Sequence, residues 1–250
     1  MKKLTKIDVL DQGYVRLVDH MGTDLSIVNA ARVSYAKESA EFSDKDERLI
    51  NFLVRNKEYS PFRHVALTFE VYAPLFVARQ WWKYTVASTA LDDQIGWNES
   101  SRRYVTEDPT FHMPAENEWR SKPANSKQGS GEPLPAETPN QKVVGCQPEY
   151  GDYWTGALAD YIEEGQELYE SAMRAGIAPE QARLFLPAYG MYVRWRWTTS
   201  LAAVMHFLNE RLEHKAQLEI QQYAQAVRDL IVPEFPVALR PFGNDRQDEQ

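Results

Sequence analysis

A short polar segment near the middle of the chain carries the side chains best suited to binding an anion. The segment Asn98-Glu99-Ser100-Ser101-Arg102-Arg103-Tyr104 brings together one carboxylate, two serine hydroxyls and two guanidiniums. Arginine can bind a phosphate through two parallel hydrogen bonds, while serine and glutamate match the remaining donors and acceptors of a ligand. The pattern predicts a site for an anionic, hydrogen-bond-rich ligand. A solvated loop with surface salt bridges is the competing interpretation of an isolated arginine pair.

The stretch before this segment predicts an amphipathic helix from Phe76 to Tyr84. Its apolar stripe contains Phe76, Val77, Gln80, Trp81 and Tyr84, and Arg79, Trp82 and Lys83 lie beside that stripe. Such a helix buries apolar mass on one side and directs cations away from the core.

Together the two stretches resemble the signature of the flavin-dependent thymidylate synthases. The shared elements are Arg79-Gln80-Trp81 and, later, Asn98, Glu99, Ser101, Arg103 and Tyr104. Where the family usually has Arg-His-Arg, this chain has Lys83-Tyr84-Thr85, and the spacer before Asn98 is longer than the family pattern.

Two later blocks extend the resemblance. Residues 182–187 are similar to the family's Ala-Arg-x-x-Leu-Pro element, whose arginine contacts the nucleotide and corresponds to Arg183. Residues 207–211 and 216–220 are similar to a block whose arginine, here Arg211, meets the uracil ring and favours its form ionised at N3. Without the family, Arg211 is a helix-surface cation paired with Glu210 or Glu213.

The resemblance implies a nucleotide site and a flavin site. The residues implied for the nucleotide are Gln80, Lys83, Glu99, Ser101, Arg102, Arg103, Arg183 and Arg211, of which Arg211 is the catalytic one. The residues implied for FAD are Ser60, Lys83, Tyr84, Thr85, Glu99, Ser200 and His206, with Ser60 acting across a subunit boundary. From the residues alone, Ser60 before Pro61 is simply a turn residue.

The activity that the resemblance implies is the reductive methylation of dUMP to dTMP. Methylenetetrahydrofolate would supply the carbon, NADPH would reduce FAD, and the enzyme would be a homotetramer with shared active sites. Two alternatives stay open: a diverged one-carbon transferase that acts on another pyrimidine nucleotide such as dCMP, and a non-catalytic nucleotide-binding relative. The net charge of −8 disfavours a nucleic-acid binder, which needs a basic face.

Covalent catalysis by this chain has weak support in the sequence. Cys146, the single cysteine, lies in a polar loop with no His or Arg beside it to lower its pKa. Ser101 has no histidine base nearby in sequence, so we expect it to donate a hydrogen bond. The histidines are scattered and form no metal-ligand pair, so no metal site is expected.

Length and composition favour one domain over residues 1–250. Helical patterns, alternating strands and the absence of an internal repeat predict an α+β fold, with a mixed or antiparallel sheet flanked by helices. Pro, Gly, Ser and charged residues dominate 105–151, which predicts an inserted loop or lid, with Phe111, Trp119 and Tyr150 favouring a docked one. No apolar run long enough for a signal peptide or a membrane span is present, so we expect a cytoplasmic protein.

Periodicity and end signals place the remaining elements. Two short strands should meet around Asp11-Gln12-Gly13, and alternating residues predict strands at 65–73 and 191–197, the latter with Trp195 and Trp197 on one face and Arg194 and Arg196 on the other. In the first part of the chain, Asp24 is the predicted cap of a helix at 25–33, and Ser43 with Asp46 is the predicted capping pair of a helix at 44–56. Further helices are predicted from 153 to about Gly176 and at 215–231, with a helical turn at 179–185. Thr198 or Thr199 is the predicted cap of the helix that ends at Arg211.

Overall fold

The structure, a computed structural model, describes residues 6–86, 96–100, 108–124, 129–135 and 153–242, and for 83–86 and 96–99 it describes the backbone only. Within these ranges the chain forms five strands and seven α-helices. The strands are β1 (Lys6–Val9), β2 (Gly13–Met21), β3 (Ala66–Pro74), β4 (Gly96–Glu99) and β5 (Tyr192–Ser200). The helices are α1 (Asp24–Arg32), α2 (Asp44–Arg55), α3 (Leu75–Val86), α4 (Trp154–Arg174), α5 (Pro179–Ala182), α6 (Leu201–Arg211) and α7 (Leu218–Ile231).

The strands form one sheet in the order β1-β2-β3-β5-β4, and every neighbouring pair is antiparallel. The sequence prediction of an α+β fold with an antiparallel sheet is therefore confirmed. β3 and β5 lie next to each other over their whole length, from Ala66 opposite Ser200 to Pro74 opposite Tyr192. Because β4 is the edge strand beside β5, Asn98 and Glu99 lie at the edge of the sheet.

One face of the sheet is apolar and is covered by helices. The buried side chains of β2, β3 and β5 alternate along each strand, as Leu67, Phe69, Val71, Trp195 and Trp197 illustrate. Helices α3, α6 and α7 pack against this face. Alternation of this kind is expected where one face of an antiparallel sheet meets the core and the other does not.

Trp81 on α3 lies at the centre of the core. Its side chain is fully buried, stacks on Phe207 of α6 with ring centroids 4.4 Å apart, and meets Trp195 and Trp197 edge-on at 5.5 Å each. This cluster fixes α3 against both β5 and α6. Of the predicted stripe, Val77 and Trp81 are buried and Phe76 packs against the core, whereas Gln80 is only partly buried. The side chain of Tyr84 lies outside the described ones.

Three helix starts differ from the sequence predictions. Thr23, not Asp24, is the N-cap of α1, and the buried Asp24 carboxylate instead accepts hydrogen bonds from the backbone N–H groups of Val237 (2.9 Å) and Ala238 (3.1 Å). Ser200, not Thr198 or Thr199, caps α6, because β5 continues through both threonines. Helix α7 begins at Leu218, three residues later than predicted.

The other end signals are confirmed. Ser43 and Asp46 form the capping box of α2, and α4 ends just before Gly176, whose φ of +81° suits glycine. Gly13 has a packing role at the start of β2. A Cβ there would lie 1.8 Å from the hydroxyl of Tyr223, so only glycine lets α7 approach this strand so closely.

The described parts of the predicted insertion dock on the rest of the protein. Phe111 is buried and forms an isolated bridge with Met191, and the indole N–H of Trp119 donates to the hydroxyl of Thr155 at 2.8 Å. Tyr150 and Cys146 lie outside the described residues. Whether 105–151 moves as a lid stays a prediction. Among the described helices, none combines the length and apolar character that crossing a bilayer requires.

Candidate functional site

The first three residues of the predicted anion-binding segment, 98–100, run alongside β5. Asn98 lies opposite Arg196 and Glu99 opposite Trp195 in the register, and the N–H of Ser100 donates to the carbonyl of Arg194 at 2.8 Å. These three residues therefore lie next to the strand that carries Arg194 and Arg196. Ser101, Arg102 and Arg103, which carry the predicted hydroxyl and cations, lie outside the described residues.

Helix α3 brings a second part of the predicted site towards the end of α6. The side-chain amide of Gln80 donates a hydrogen bond to the side-chain carbonyl of Gln217. Gln217 ends the short loop that follows Arg211 and is the N-cap of α7. The fold thus joins Gln80 to the loop that begins at the predicted catalytic residue. Lys83, Tyr84 and Thr85 belong to the last turns of α3, and their side chains lie outside the described ones.

Arg211 is the last residue of α6 and is half-buried. A cation in the last turn of a helix interacts favourably with the partial negative charge of the helix C-terminus. Gln217 lies within the stretch 216–220 that resembles the family, but the sequence assigns it no role. Its place in this region follows from its contact with Gln80.

Arg183 is carried by elements other than those that carry Gln80 and Arg211. It opens the 3₁₀ turn after α5, and both of these elements pack against α4. Its guanidinium is exposed, and its Nε donates to the carbonyl of Glu180 at 3.3 Å. The predicted convergence of Arg103, Arg183 and Arg211 stays a prediction.

Two of the predicted flavin residues lie on neighbouring elements. Ser60 begins the 3₁₀ helix Ser60–His64, which packs against α6, and both Ser60 and His206 of α6 are exposed. Ser200 is buried, and its hydroxyl accepts a hydrogen bond from the N–H of Ala203 at 3.2 Å as the N-cap of α6. The flavin contact of Ser200 stays a prediction, while Ser60 and His206 have the exposure that a ligand contact requires.

A cleft of about 400 Å³ adjoins the Gln80–Gln217 contact. Phe76, one helical turn before Gln80, lines it together with Leu218 and Glu219, which follow Gln217. The opposite wall comes from the insertion, where His112 and Trp119 line the cleft and Arg120 forms an ion pair with Glu219. The insertion therefore contributes directly to the surface next to the predicted nucleotide site.

A hydrogen-bonded network fixes this wall to the first turn of the protein. One carboxylate oxygen of Asp11 accepts a hydrogen bond from the Tyr192 hydroxyl at 2.5 Å and lies 2.5 Å from Nδ1 of His112. The other oxygen accepts from the N–H of Met113 at 3.2 Å. Burial would raise the pKa of Asp11, but the hydrogen bonds from Tyr192, His112 and Met113 outweigh it and lower the pKa below its ordinary value. Sequence analysis treated Asp11 only as a turn residue, because its partners are distant in sequence.

Comparison with known proteins identifies relatives over almost the whole chain. The family model described as thymidylate synthase complementing protein matches residues 16–237. The chain is 36% identical to the flavin-dependent thymidylate synthase of Thermotoga neapolitana over 237 residues, covering 95% of this chain and 94% of the relative. It is also 36% identical to the enzyme of the same name from Thermus thermophilus, covering 94% of this chain and 77% of that relative.

Among solved structures, the fold is similar to that of the UMP/dUMP methylase PolB from Streptomyces cacaoi, described as bound with 5-Br dUMP. The TM-score is 0.73, the sequences are 30% identical, and the match covers 94% of this chain and 96% of that one. A second structure of the same methylase, bound with 5-Br UMP, gives the same TM-score at 27% identity.

Proposed function

The chain belongs to the family of flavin-dependent thymidylate synthases, and we propose that it converts dUMP to dTMP with FAD as its flavin, methylenetetrahydrofolate as carbon donor and NADPH as reductant. The observation that carries the proposal is the hydrogen bond between Gln80 and Gln217, which joins the signature helix α3 to the loop after Arg211. It links two separate family blocks at one place in the fold.

The chain's own residues have defined tasks in this proposal. C5 of the pyrimidine must become nucleophilic, and Arg211 does this by stabilising negative charge on the uracil ring. Gln80 and Glu99 orient the nucleotide, and Ser101, Arg102, Arg103 and Arg183 bind its phosphate and ribose. No covalent enzyme nucleophile is required, which agrees with a chain whose single cysteine, Cys146, has no His or Arg beside it in the sequence.

Ser60 and His206 fit a flavin contact, because both are exposed on elements that pack against each other. Lys83, Tyr84, Thr85, Glu99 and Ser200 are the further residues proposed to hold it. A bound flavin supplies hydride chemistry that no amino-acid side chain provides. In this chain Lys83 is the one cation of the Lys83-Tyr84-Thr85 element, where the family usually has two arginines, so we expect weaker retention of the flavin during purification.

A single assay tests the proposed function. Purified protein is incubated with dUMP, methylenetetrahydrofolate, NADPH and FAD, and dTMP is quantified by mass spectrometry with a no-flavin control. We expect flavin-dependent dTMP formation. Protein that cannot be loaded with flavin and forms no dTMP would instead support the non-catalytic nucleotide-binding relative.

The role of Arg211 is tested by Arg211→Ala. We expect turnover to fall by a factor of at least about 100, the range seen when a group that stabilises developing charge is removed. The visible absorbance of bound flavin should stay unchanged. Full turnover in this variant would remove Arg211 from the mechanism. Arg174→Ala, on the exposed face of α4, is the matched control.

A second candidate substrate is UMP. The reason is that the solved structures of the similar methylase are described with 5-Br dUMP and with 5-Br UMP. Parallel assays with dUMP, UMP and dCMP separate the three possibilities. A kcat/KM for UMP or dCMP above that for dUMP would reassign the substrate.

We also propose that the enzyme is a homotetramer with active sites shared between subunits. Several large apolar side chains are exposed in the single chain, among them Leu184 (80%), Val33 (75%), Tyr35 (75%) and Tyr189 (66%). Leu184 follows Arg183 directly, so an interface here would bring Arg183 to another subunit. Sedimentation equilibrium should give four times the mass of 28.8 kDa; a monomer would contradict the proposal.

A further inference from the structure

Two segments of the insertion, residues 119–124 and 129–134, pair with each other, and we call them the insertion arm. The N–H of Ser121 donates to the carbonyl of Glu132 at 2.9 Å, and the neighbouring Arg120 forms an antiparallel bridge within the arm. The backbone on both sides of Arg120 is therefore held by the arm itself, which fixes the point from which this side chain extends.

The arm is also anchored to the start of α4. The indole N–H of Trp119 donates to the hydroxyl of Thr155 at 2.8 Å, and the ring of Trp119 lies beside that of Trp154 with centroids 6.4 Å apart. The hydroxyl of Thr155 in turn donates to the carbonyl of Pro114 at 3.2 Å. These contacts give the arm a fixed base on a helix that is distant in the sequence.

Arg120 joins the arm to the first turn of α7. Its Nη2 forms an ion pair with Glu219, and its Nε donates to the hydroxyl of Ser130 at 2.8 Å. The side chains of Arg120 and Glu219 are only 21% and 13% exposed, so this pair is better shielded from water than a typical surface salt bridge. A carboxylate in the first turn of a helix also interacts favourably with the helix N-terminus.

The arm meets the chain on both sides of Gln217. Gly129 of the arm lies against the loop before α7, because a Cβ at Gly129 would be 3.7 Å from the carbonyl oxygen of Lys215. Lys215 lies two residues before Gln217, and Glu219 lies two residues after it. Gln217 is the N-cap of α7, and its side-chain carbonyl accepts the hydrogen bond from Gln80. The arm therefore contacts both flanks of the residue that Gln80 binds.

The insertion also contacts α3 one helical turn before Gln80. The rings of Phe76 and His112 have centroids 5.9 Å apart, and Nδ1 of His112 lies 2.5 Å from the carboxylate of Asp11. Gln80 and Gln217 therefore lie on two elements that are both held by the insertion.

We propose that the insertion positions the nucleotide site, with Arg120 as a positioning residue that acts through Gln217 on Gln80. The inference rests on the proposed function, in which Gln80 orients the nucleotide. It gives a role to a residue that lies outside every block that resembles the family. Without the ion pair to Arg120, the first turn of α7 loses a contact beside its N-cap, and Gln217 no longer holds Gln80 in one rotamer. Binding the nucleotide must then order Gln80 again, at a cost in affinity.

The test measures dUMP binding and turnover in the full-length, flavin-loaded enzyme. Isothermal titration calorimetry gives the affinity for dUMP, and the dTMP assay gives KM and kcat. The variants are Arg120→Ala, Arg120→Lys, Gln217→Ala and the double variant with both alanines. Lys122→Ala is the matched control, because Lys122 is an exposed cation two residues further along the same arm. Thermal unfolding verifies that each variant is folded.

We expect Arg120→Ala to weaken dUMP binding and to raise the KM for dUMP by about 5- to 30-fold, the range of coupling between residues in contact. The kcat should change by less than about twofold, because saturating nucleotide restores the order of Gln80. Arg120→Lys should recover part of the loss, since lysine keeps the charge that pairs with Glu219. The Lys122→Ala enzyme should match the wild type.

The double variant separates positioning from general support of the fold. If Arg120 acts through Gln217, then Arg120→Ala should weaken dUMP binding by less than about twofold further once Gln217 is alanine. An equal loss with and without the Gln217 side chain would overturn the inference, because Arg120 would then act by another route.

The inference would also be overturned by dUMP affinity within about twofold of the wild type in Arg120→Ala. If Arg120→Ala does not fold, Glu219→Gln removes the ion pair from the α7 side and takes its place in the same comparison. Failure of the proposed function is a different result, since the wild-type protein would then bind no dUMP and form no dTMP.

Discussion

The two faces of β5 differ in burial and in residue type although they share one backbone. On the core face, Trp195 and Trp197 are 1% and 2% exposed and meet Trp81 edge-on. On the open face, Arg194 and Arg196 alternate with them and lie over Tyr72 and beside Glu70. The packing of the core face fixes the position of the strand. Because that position is fixed, the charged groups on the open face lie in register with their partners on β3.

This difference means that the two faces of one strand contribute unequally to stability. Packed aromatic rings gain free energy from burial and from ring-to-ring contact, so their loss should appear mainly in the free energy of unfolding. Exposed ion pairs contribute little to stability, so their loss should change the free energy of unfolding only slightly. Substitutions on the two faces can therefore test the comparison directly.

The largest effect is expected for Trp81→Ala. This change removes a fully buried indole that stacks on Phe207 and contacts both tryptophans of β5. We expect the free energy of unfolding to fall by about 3–5 kcal/mol, as for other large-to-small core substitutions. Chemical denaturation followed by circular dichroism measures it, and a loss below about 1 kcal/mol would show that the cluster does not hold the core together.

Glu70→Ala should give the next largest loss of stability. It leaves Arg16, Arg196 and Tyr14 without the carboxylate that now accepts from all three. Because Glu70 is mostly buried, we expect a loss of about 1–3 kcal/mol in the free energy of unfolding. The control is Asp8→Ala, whose carboxylate pairs with Lys6 at the surface and is 80% exposed. Equal small losses in both variants would contradict a special role for Glu70.

Acid should affect two carboxylates in opposite ways. Burial would raise the pKa of Glu70, but the hydrogen bonds from Tyr14 and Arg16 and the nearby guanidiniums outweigh it and hold the pKa below its ordinary 4.5. Its contribution to stability is therefore complete above pH 4.5 and is lost as the pH falls through the lowered folded-state pKa. For Asp24, burial outweighs the hydrogen bonds from the N–H groups of Val237 and Ala238 and raises the pKa above 3.8. Its contribution to stability is therefore complete below pH 3.8 and is lost as the pH rises through the raised folded-state pKa.

Denaturation of two variants between about pH 5 and pH 3 tests these signs. Glu70→Gln should lose less unfolding free energy over this interval than the wild type, and Asp24→Asn should lose more. The reverse order, or parallel curves for all three proteins, would show that other carboxylates control acid unfolding.

Much of the fold could be predicted from the sequence because its signals are local. Alternation along residues 191–197 assigned the two faces of β5, and the Ser43-to-Asp46 spacing located the start of α2. The starts of α1 and α6 were wrong for a shared reason. Thr23 and Ser200 each lie one residue from a predicted cap, Asp24 and Thr199. Tertiary contacts decide where these helices begin, such as the hydrogen bonds that the Asp24 carboxylate accepts from the N–H groups of Val237 and Ala238.

The candidate site was harder to predict from the sequence, because its contacts join distant parts of the chain. The alternation of Arg194 and Arg196 showed that they face away from the core. It could not show that Asn98 lies opposite Arg196, since that register depends on which strand takes the edge position. Similarly, the partners of Asp11 at positions 112 and 192 come together only when the insertion docks.

The smallest effect on stability is expected for Arg196→Ala. The guanidinium is 55% exposed and lies 3.3 Å from Glu70, which keeps its shorter bond to Arg16 at 2.7 Å and its bond from Tyr14. Since Glu70 stays paired, the free energy of unfolding should change by less than about 0.5 kcal/mol in the denaturation assay used for Trp81→Ala. A loss of stability as large as that of Glu70→Ala would mean that Arg196 supports the sheet itself, and the division between the two faces of β5 would not hold.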